Sequence, residues 1–517
     1  MSTKPFSRVF WIVFDGMGYE HARRCAESTD FPTITRVARE GHLGPARPST
    51  PVCQTPPALL TLFSGSEPAE SGVWGYKMPA PDCIEETVSG FAAPLDRVET
   101  LWAALGSRGK SSSLMGVAFR NDPVWAGNVP GLDFGYDGYR RWRRPHTLHL
   151  AHARQPAEIG GIEVELRRTP EGIAINKGHA ARARLVVGEG RTFELTRGAH
   201  AFLYLLDRST LVVAPIRPAM LRGGLHPATA GEDFVDLDVF RHVRRLHQRL
   251  GNETTISVAA EVAPASMAMS QKEDLMIETI RAGSSALVIG YFPVIDEYNH
   301  VYADRLESEW PEGRASQVFS SCALLVDQCI AKVMAEADED TLVVVSSDHG
   351  SVAHRSILHI NELFADAGLV RRADFGYDLS RSLAFYHPSD CGLVMTRNRT
   401  DAPRLLAGIR GALDRARAEM KVDIGLLEGG PEDPYLAFLY PMADGYFTGN
   451  APGMGRSALE WGKAGGHHLS PLTPNPWIQA VLGLWSPRKG AKAEISGSIP
   501  NENRGLKSFL INSLGVG

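Results

Sequence analysis

The segment Thr341-Leu-Val-Val-Val-Ser-Ser-Asp-His-Gly350 decides the fold. Its first five residues are β-prone and mostly apolar without alternation, which predicts a parallel strand that is buried on both faces. Asp348 and His349 come just beyond the carboxyl end of that strand, where open α/β sheets bind their ligands. A carboxylate oxygen and a neutral imidazole suit Zn²⁺-like ions. Because such a turn can also simply end a strand, the metal interpretation depends on partners elsewhere in the chain.

Polar side chains follow two other apolar runs in the same way. Residues 9–14 end in Asp15, and the predicted strand at residues 286–289 is followed by Asp296 and His300. Two ligands four residues apart lie on one helical turn and can reach the same ion. Each residue alone has an ordinary explanation, as a strand-ending carboxylate or a surface pair. Their shared position after strands is what suggests a common site.

Thr55 lies in the segment Gln54-Thr-Pro-Pro-Ala58, before residues 58–63, which can form a helix. The two prolines fix an extended approach, so Thr55 is expected just before a helix N-terminus. Backbone N–H groups and the helix dipole favour a phosphate at such a place. A threonine there is more often only an N-cap, so the functional interpretation needs further support.

That support is a resemblance to a family. Thr55-x-Pro57, Thr61-Leu-Phe-Ser-Gly65 and Pro68…Gly72-Val73 together resemble the nucleophile segment of the alkaline phosphatase superfamily. The similarity is greatest to its type I phosphodiesterase/nucleotide pyrophosphatase branch. Counting back from the glycine of the second motif by the spacing of that branch, or by the sulfatase spacing, selects Thr55 as the nucleophile.

The segment departs from the family pattern in one place. The branch has an asparagine three residues after the nucleophile, which helps to hold a phosphoryl oxygen, and this chain has Ala58 there. The substrate class therefore stays open. Cys53 does not occupy the position of a sulfatase nucleophile, and Thr55 cannot become formylglycine, so a sulfatase is disfavoured.

The resemblance implies two divalent metal ions, expected to be zinc, with manganese or iron as alternatives at one site. The implied site residues are Asp15, Thr55, Asp296, His300, Asp348, His349 and His467. One ion would be held by Asp15, Asp348 and His349 and would contact the Thr55 hydroxyl; the other would be held by Asp296, His300 and His467. His467 is selected by its spacing to the last apolar run, with His468 as the alternative.

The reaction implied is hydrolysis of a phosphoric ester through a covalent phospho-threonine at Thr55, which metal-activated water then hydrolyses. The backbone N–H groups after Thr55 are expected to assist at the transferred group. The leading hypothesis is a phosphodiesterase or nucleotide pyrophosphatase-like enzyme. A phosphomonoesterase or a phosphonate C–P hydrolase with the same site is the alternative. A non-catalytic binding protein would predict lost ligands, and none of the implied ligands is missing.

The predicted fold class is α/β: a doubly wound alkaline-phosphatase-like core with helices on both faces, plus an inserted β-rich module. Residues 1–150 and 223–517 are assigned to the core. Short alternating runs and tight glycine turns assign residues 151–222 to the insert. The basic segment 138–145 could meet an anionic substrate, although a solvated linker is the simpler interpretation.

Composition limits the partners. The net charge of −5, with 44% hydrophobic and 22% charged residues, gives no reason to expect a nucleic-acid polymer or an anionic membrane surface as partner. The expected partner is a small-molecule phosphate ester or phosphonate. The N-terminal apolar run is too short for a membrane span and lacks a cleavage site, and the six cysteines form no CxxC pair. A reduced, cytoplasmic protein is therefore expected.

Overall fold

A computed structural model of the chain describes residues 5–80, 82–117, 119, 132–136, 146–159, 162–177, 180–196, 199–214, 224–225, 258–449 and 458–516. The strands are β1 (Arg8–Phe14), β2 (His42–Ala46), β3 (Lys77–Ala80), β4 (Cys83–Ser89), β5 (Ser112–Met115), β6 (Leu132–Tyr136), β7 (His146–His149), β8 (Arg154–Ile159), β9 (Ile162–Arg168), β10 (Gly172–Lys177), β11 (Ala180–Val186), β12 (Gly190–Thr196), β13 (Ala199–Asp207), β14 (Thr210–Ala214), β15 (Gly224–Leu225), β16 (Leu287–Phe292), β17 (Thr341–Ser346), β18 (Val352–His359), β19 (Arg371–Ala373), β20 (Gly376–Asp378), β21 (Phe385–Tyr386), β22 (Leu393–Met395), β23 (Ile424–Glu428), β24 (Ala437–Pro441), β25 (Gly445–Gly449), β26 (Leu459–His467) and β27 (Ala480–Trp485).

The α-helices are α1 (Tyr19–Ala26), α2 (Pro32–Glu40), α3 (Thr55–Ser64), α4 (Pro68–Ser71), α5 (Leu101–Gly106), α6 (Val258–Ala282), α7 (Val294–Glu309), α8 (Arg314–Ala335), α9 (Ile360–Asp366), α10 (Ala402–Met420), α11 (Ala491–Ser496) and α12 (Leu506–Ser513). Short 3-10 helices cover Gly90–Ala92, Leu379–Arg381, Arg399–Asp401, Pro476–Ile478 and Asn503–Gly505.

An eight-stranded sheet in the order β15-β6-β5-β16-β1-β17-β27-β2 forms the centre of the molecule. The strands from β15 to β17 are parallel, and β27 is antiparallel to both of its neighbours. Trp11 of β1 lies opposite Ile289 of β16 and Val344 of β17. Because these three strands run in the same direction, their carboxyl ends meet at one edge of the sheet. The predicted buried strand at residues 341–345 is confirmed.

Helices cover both faces of this sheet. Phe10 and Ile12 of β1 pack on one side in a cluster with α6, α7 and α8. Trp11 and Val13 point to the opposite side, where they pack with α3, α5 and α12. The Trp11 ring meets Phe63 of α3 edge to face at 5.4 Å between centroids. Side chains on both faces of the strand are therefore buried, which explains why β1 and β17 have unbroken apolar sequences. A central sheet with helices on both faces confirms the predicted α/β fold class.

The β-rich module contains two four-stranded sheets, β11-β10-β9-β8 and β12-β13-β14-β7. Its apolar side chains form a cluster of their own, including Leu166, Ile173 and Leu211. Tyr204 and Val212 instead join the core cluster beside α6. Strand β7 precedes the predicted boundary at residue 151 and nevertheless pairs with β14. The basic segment 138–145 lies outside the described residues.

A smaller α/β region lies between β17 and β27, and the sequence did not reveal it. The sheet β21-β22-β24-β23 packs with α9 and α10 around a separate apolar cluster. Beside it, β18 pairs with β25 and β26. In that pairing His467 lies opposite Val352. This small sheet therefore brings the C-terminal histidines back toward the loop that follows β17.

One described helix, α8, is long and apolar enough to cross a membrane by length and composition, but 56% of its apolar window is buried inside the protein. Phe319, Cys322 and Val326 on this helix pack in the core cluster. Core packing is therefore sufficient to account for its apolar sequence, and the criterion alone is weak support for a membrane span.

Candidate metal centre

Three ligand-bearing segments meet at the carboxyl edge of the central sheet. Asp15 directly follows β1, Asp348 lies two residues after β17, and Asp296 is in the first turn of α7, which follows β16. The Asp296 N–H donates to the Asp15 carbonyl at 3.0 Å, and the Gly16 N–H donates to Asp348 Oδ1 at 3.2 Å. Backbone groups thus fix the three carboxylates relative to one another.

Two glycines permit this close approach. Gly16 has a φ of +69°, and a Cβ on it would lie 2.7 Å from Asp296 Cα. A Cβ on Gly350 would lie 1.9 Å from the Trp477 carbonyl oxygen. Another residue at position 16 would push the loop after β1 away from Asp296, and another residue at position 350 would push the loop that carries Asp348 away from the segment at Trp477.

The first ligand group consists of Asp15, Asp348 and His349, whose ligand atoms lie within 4.8 Å of one another. His349 Nε2 is 3.3 Å from Asp15 Oδ1 and 3.3 Å from Asp348 Oδ2. The other carboxylate oxygens have donors: Tyr291 donates its hydroxyl to Asp15 Oδ2, and the Gly16 and His349 N–H groups donate to Asp348 Oδ1. Among the described residues, Asp15 Oδ1 and Asp348 Oδ2 have no hydrogen-bond partner. These two buried oxygens are available to a cation.

The second group contains Asp296, His349 and His468. Asp296 Oδ2 lies 3.1 Å from His300 Nε2, and its Oδ1 lies 3.5 Å from His468 Nε2. The His468 ring stacks on His349 with 3.9 Å between centroids. His300 Nδ1 lies 3.2 Å from the Gly466 carbonyl; if Nδ1 donates there, the Nε2 lone pair is left for a metal.

Electrostatics favour a cation at this place. Burial raises the pKa of Asp15 well above its usual range, and the charges of Asp348 and Asp296 raise it further. Burial also raises the pKa of Asp348, against the opposing influence of His349. For Asp296, burial acts in the same direction, but the neighbouring histidines, His300 foremost, outweigh it and lower the pKa. Buried carboxylates this close together need protons or positive ions to be stable.

The structure separates His467 from His468. The His467 ring lies beside His354 and Phe447, at centroid distances of 5.7 and 5.2 Å, and neither of its ring nitrogens has a partner among the described residues. His468 is the histidine beside Asp296. Because neighbouring side chains of a strand point to opposite faces, the spacing argument that selected His467 could not distinguish these two residues.

Thr55 lies beside the first group. It is buried, and its Oγ1 is 3.3 Å from His349 Nε2. Helix α3 begins at Thr55 itself, three residues before the predicted start, because Pro56 and Pro57 fit the first turn, where their missing N–H groups are not needed.

The residues after Thr55 lack the free N–H donors that the sequence predicted there. Pro56 and Pro57 have no N–H, and the Ala58 N–H donates to the Gln54 carbonyl at 3.1 Å. Among residues 55–58, Thr55 alone keeps an N–H that the first turn of the helix does not use. The expectation that N–H groups after Thr55 assist at the transferred group is therefore wrong for residues 56–58.

Supporting residues complete the site, and the sequence analysis did not identify them. Asn299 donates to the Gly16 carbonyl at 2.8 Å, which ties α7 to the loop after β1. Asn503 donates to the carbonyls of Ser347 and Asp348 at 3.1 and 2.9 Å. Asn299 could have been noticed from its place between Asp296 and His300, but nothing local marks Asn503.

Comparisons with known proteins agree with this architecture. The family model for type I phosphodiesterase/nucleotide pyrophosphatase matches residues 9–423. Phosphonoacetate hydrolase from Sinorhizobium meliloti 1021, in complex with phosphonoacetate, superposes with a TM-score of 0.51 at 12% identity, covering 99% of this chain and 96% of that one. Its complex with phosphonoformate gives 0.50 at 13% identity and the same coverage.

A murine ectonucleotide pyrophosphatase/phosphodiesterase 5, an inactive form in complex with AMP, gives a TM-score of 0.48 at 11% identity, covering 99% of this chain and 96% of that one. No curated protein sequence matches this chain. At these identities the two phosphonoacetate hydrolase structures show a shared fold and nothing further, whereas the family match spans most of the chain. The chain belongs to the type I phosphodiesterase/nucleotide pyrophosphatase family and is a metal-dependent hydrolase of phosphoric ester bonds, as predicted.

Proposed function

We propose that the chain is a two-metal phosphodiesterase that acts through a covalent phospho-threonine at Thr55. One observation carries this proposal. Two buried carboxylate oxygens that lack a hydrogen-bond partner in the described part of the chain, Asp15 Oδ1 and Asp348 Oδ2, each lie 3.3 Å from His349 Nε2. His349 Nε2 is itself 3.3 Å from the Thr55 hydroxyl oxygen. A hydroxyl in that position is next to the place where a cation would be held, so it is a suitable nucleophile.

The residues present fit two divalent ions. Asp15, Asp348 and His349 would hold one, with the Thr55 hydroxyl as a further ligand. Asp296, His300 and His468 would hold the other, and His468 thus replaces the predicted His467. Mixed carboxylate and imidazole donors suit zinc, with manganese or iron as alternatives at one site.

The chain's own residues then have defined tasks. The Thr55 oxygen attacks phosphorus, the bond from phosphorus to the leaving oxygen breaks, and water later cleaves the phospho-threonine. When bound, the two ions supply the positive charge that favours the deprotonated hydroxyl and stabilises the phosphoryl oxygens. His349 Nδ1 lies 3.0 Å from the Gly350 carbonyl. A hydrogen bond from Nδ1 to that carbonyl would fix the ring and direct Nε2 toward Thr55 and the carboxylates.

The start of α3 has few donors beside the nucleophile, which disfavours a monoester dianion more than a diester monoanion, although the missing asparagine is itself a departure from the diesterase pattern. A phosphomonoester dianion presents three non-bridging oxygens, whereas a diester monoanion presents two. Pro56, Pro57 and Ala58 offer neither a free N–H nor the asparagine amide of the family. A site with few donors beside the nucleophile stabilises the less charged group better.

Other expectations from the sequence stay proposals. We propose a small-molecule phosphate diester as substrate, with no nucleic-acid polymer or membrane as partner. Zinc as the bound metal and a cytoplasmic location are proposed on the same terms.

The test is a substrate panel with matched variants. Hydrolysis of bis(4-nitrophenyl) phosphate is compared with that of 4-nitrophenyl phosphate, 4-nitrophenyl sulfate and phosphonoacetate, with and without chelator and added Zn²⁺ or Mn²⁺. Thr55→Ala is expected to lower turnover by about 10⁴-fold or more, with metal content largely retained. Thr61→Ala is the control, because this buried threonine of α3 donates to the Ser66 carbonyl, away from the ligands.

The outcomes separate the hypotheses. Chelator-sensitive cleavage of the diester above all other compounds would support the proposal. Dominant cleavage of the monoester or the phosphonate would replace the substrate class and leave the metal site standing. If Thr55→Ala turned over the diester as fast as wild type does, Thr55 would not be the nucleophile.

A further inference from the structure

Tyr291 contacts the first ligand group from a neighbouring strand. It lies on β16 in register with Val13 of β1, so its side chain reaches the residue that follows the end of β1. The ring is buried, and its hydroxyl donates to Asp15 Oδ2. The phenol therefore binds one oxygen of a carboxylate whose other oxygen, Oδ1, is 3.3 Å from His349 Nε2.

Both carboxylates of this group divide their oxygens in the same way. Two backbone N–H groups donate to Asp348 Oδ1, and its Oδ2 lies beside His349 Nε2. On Asp15, a side-chain hydroxyl performs the corresponding task. The last torsion of an aspartate is broad and roughly two-fold, so a carboxylate without such a donor can rotate. The donors to Asp348 are thus backbone groups, which a substitution does not remove, whereas the donor to Asp15 Oδ2 is the side chain of residue 291.

We propose that Tyr291 is a positioning residue that fixes Asp15 as a one-oxygen ligand of the ion shared with Asp348 and His349. This inference rests on the proposed two-metal function. Its specific consequence is selectivity. Loss of the hydroxyl is expected to weaken the binding of the ion at Asp15, to which the hydroxyl donates, and to leave the binding of the ion at Asp296 unchanged.

A purely structural role gives a different result. A buried tyrosine needs a hydrogen-bond partner, and Asp15 could simply satisfy the phenol while the ring fills the core between β16 and its neighbours. In that case, removing the hydroxyl changes the stability of the whole protein and affects both ions equally or neither.

The experiment measures metal retention rather than turnover. Wild type and Tyr291→Phe are dialysed against a series of chelator-buffered free Zn²⁺ concentrations, and bound zinc per chain is measured by mass spectrometry. Wild type is expected to hold two ions. Tyr291→Phe is expected to lose one ion at a free Zn²⁺ concentration about 10- to 100-fold higher than wild type does, while the second ion is lost at the wild-type concentration.

Matched variants locate the effect. Tyr386→Phe is the control, because this fully buried tyrosine of β21 donates to Thr448, away from the ligands; it is expected to hold both ions at wild-type affinity. In an Asp15→Asn background, adding Tyr291→Phe is expected to cause no further loss of zinc, because the hydroxyl acts through Asp15. Tyr291→4-aminophenylalanine keeps a donor at the end of the ring and is expected to restore the affinity for the ion at Asp15.

Each contrary result has one meaning. If wild type binds no metal, both the two-metal function and this inference are overturned. If wild type binds two ions and Tyr291→Phe keeps both at wild-type affinity or loses both together, only the inference is overturned. If Tyr291→Phe does not fold, the 4-aminophenylalanine variant decides: two retained ions support the role of the donor, and loss of either ion contradicts it.

Discussion

The two ligand groups lie side by side but are built differently. In the first group the side chains of Asp15, Asp348 and His349 are 2%, 0% and 0% exposed. In the second group Asp296 and His468 are 8% and 10% exposed. His300, beside Asp296, is 36% exposed. The first group is therefore closed to water, whereas the second has one open side.

The elements that carry the groups explain this difference. The first group comes from loops after β1 and β17, adjacent strands in the middle of the central sheet. Apart from His349, which belongs to both groups, the second is assembled from the first turns of α7 and from His468, the residue after β26 of the small sheet. We expect the central sheet to fix the positions of the first ligand group and Thr55. The position of the second ligand group depends in addition on how the small sheet packs against the core.

The largest expected effect tests this asymmetry with two isosteric changes. Asp348→Asn removes a ligand charge beside the nucleophile and is expected to lower diester turnover by about 10³-fold or more, with loss of the adjacent ion. Asp296→Asn is expected to lose only the ion on the open side and to retain the other. Zinc per chain and turnover are measured on both variants. Equal loss of both ions in both variants would show that the groups form one unit.

A smaller effect separates the two adjacent histidines. His468→Ala is expected to remove one ion and to lower turnover by about 10²-fold or more, since it deletes an imidazole beside Asp296. His467→Ala is expected to keep both ions, because its ring faces His354 and Phe447. Zinc content distinguishes them directly. The reverse pattern would restore His467 as the ligand and would mean that β26 ends in a different register.

The two ligand groups also differ in how far the sequence predicts them. Asp15, Asp348 and His349 were identified because strand periodicity is local and their positions after strands follow from it. His467 and His468 could not be distinguished, because a shift of one residue in a strand reverses the face to which a side chain points. The family, the fold class and the enzyme class were predicted correctly from motifs that together span the core.

Other features were missed because they are not local. Tyr291 and Asp15 are 276 residues apart in the chain, so the local sequence around either residue does not predict their hydrogen bond. The predicted start of α3 is three residues too late, because two prolines are compatible both with an extended approach and with the first turn of a helix. The small α/β region between β17 and β27 was missed because its short strands carry weak periodicity.

The smallest expected effect concerns the pH dependence of stability and again contrasts His467 with the ligands. Burial, followed by the charges of His354 and His300, lowers the pKa of His467 to about 3, against about 6.5 in an unfolded chain. Between these two pKa values, His467 therefore binds a proton in the unfolded state but not in the folded state. The resulting stabilisation is complete above pH 6.5 and is lost as the pH falls from 6.5 toward 3.

In chelator-containing buffer, the unfolding free energy of wild type is thus expected to fall relative to that of His467→Gln by about 1 kcal/mol between pH 6.5 and pH 5.5. Urea denaturation at both pH values measures this difference, and chelator keeps metal binding at His468 out of the comparison. Parallel pH profiles for the two proteins would mean that His467 takes up a proton in the folded state. The surroundings of the His467 ring would then stabilise the charged imidazole despite its burial, and burial alone would not set this histidine apart from the more exposed His300.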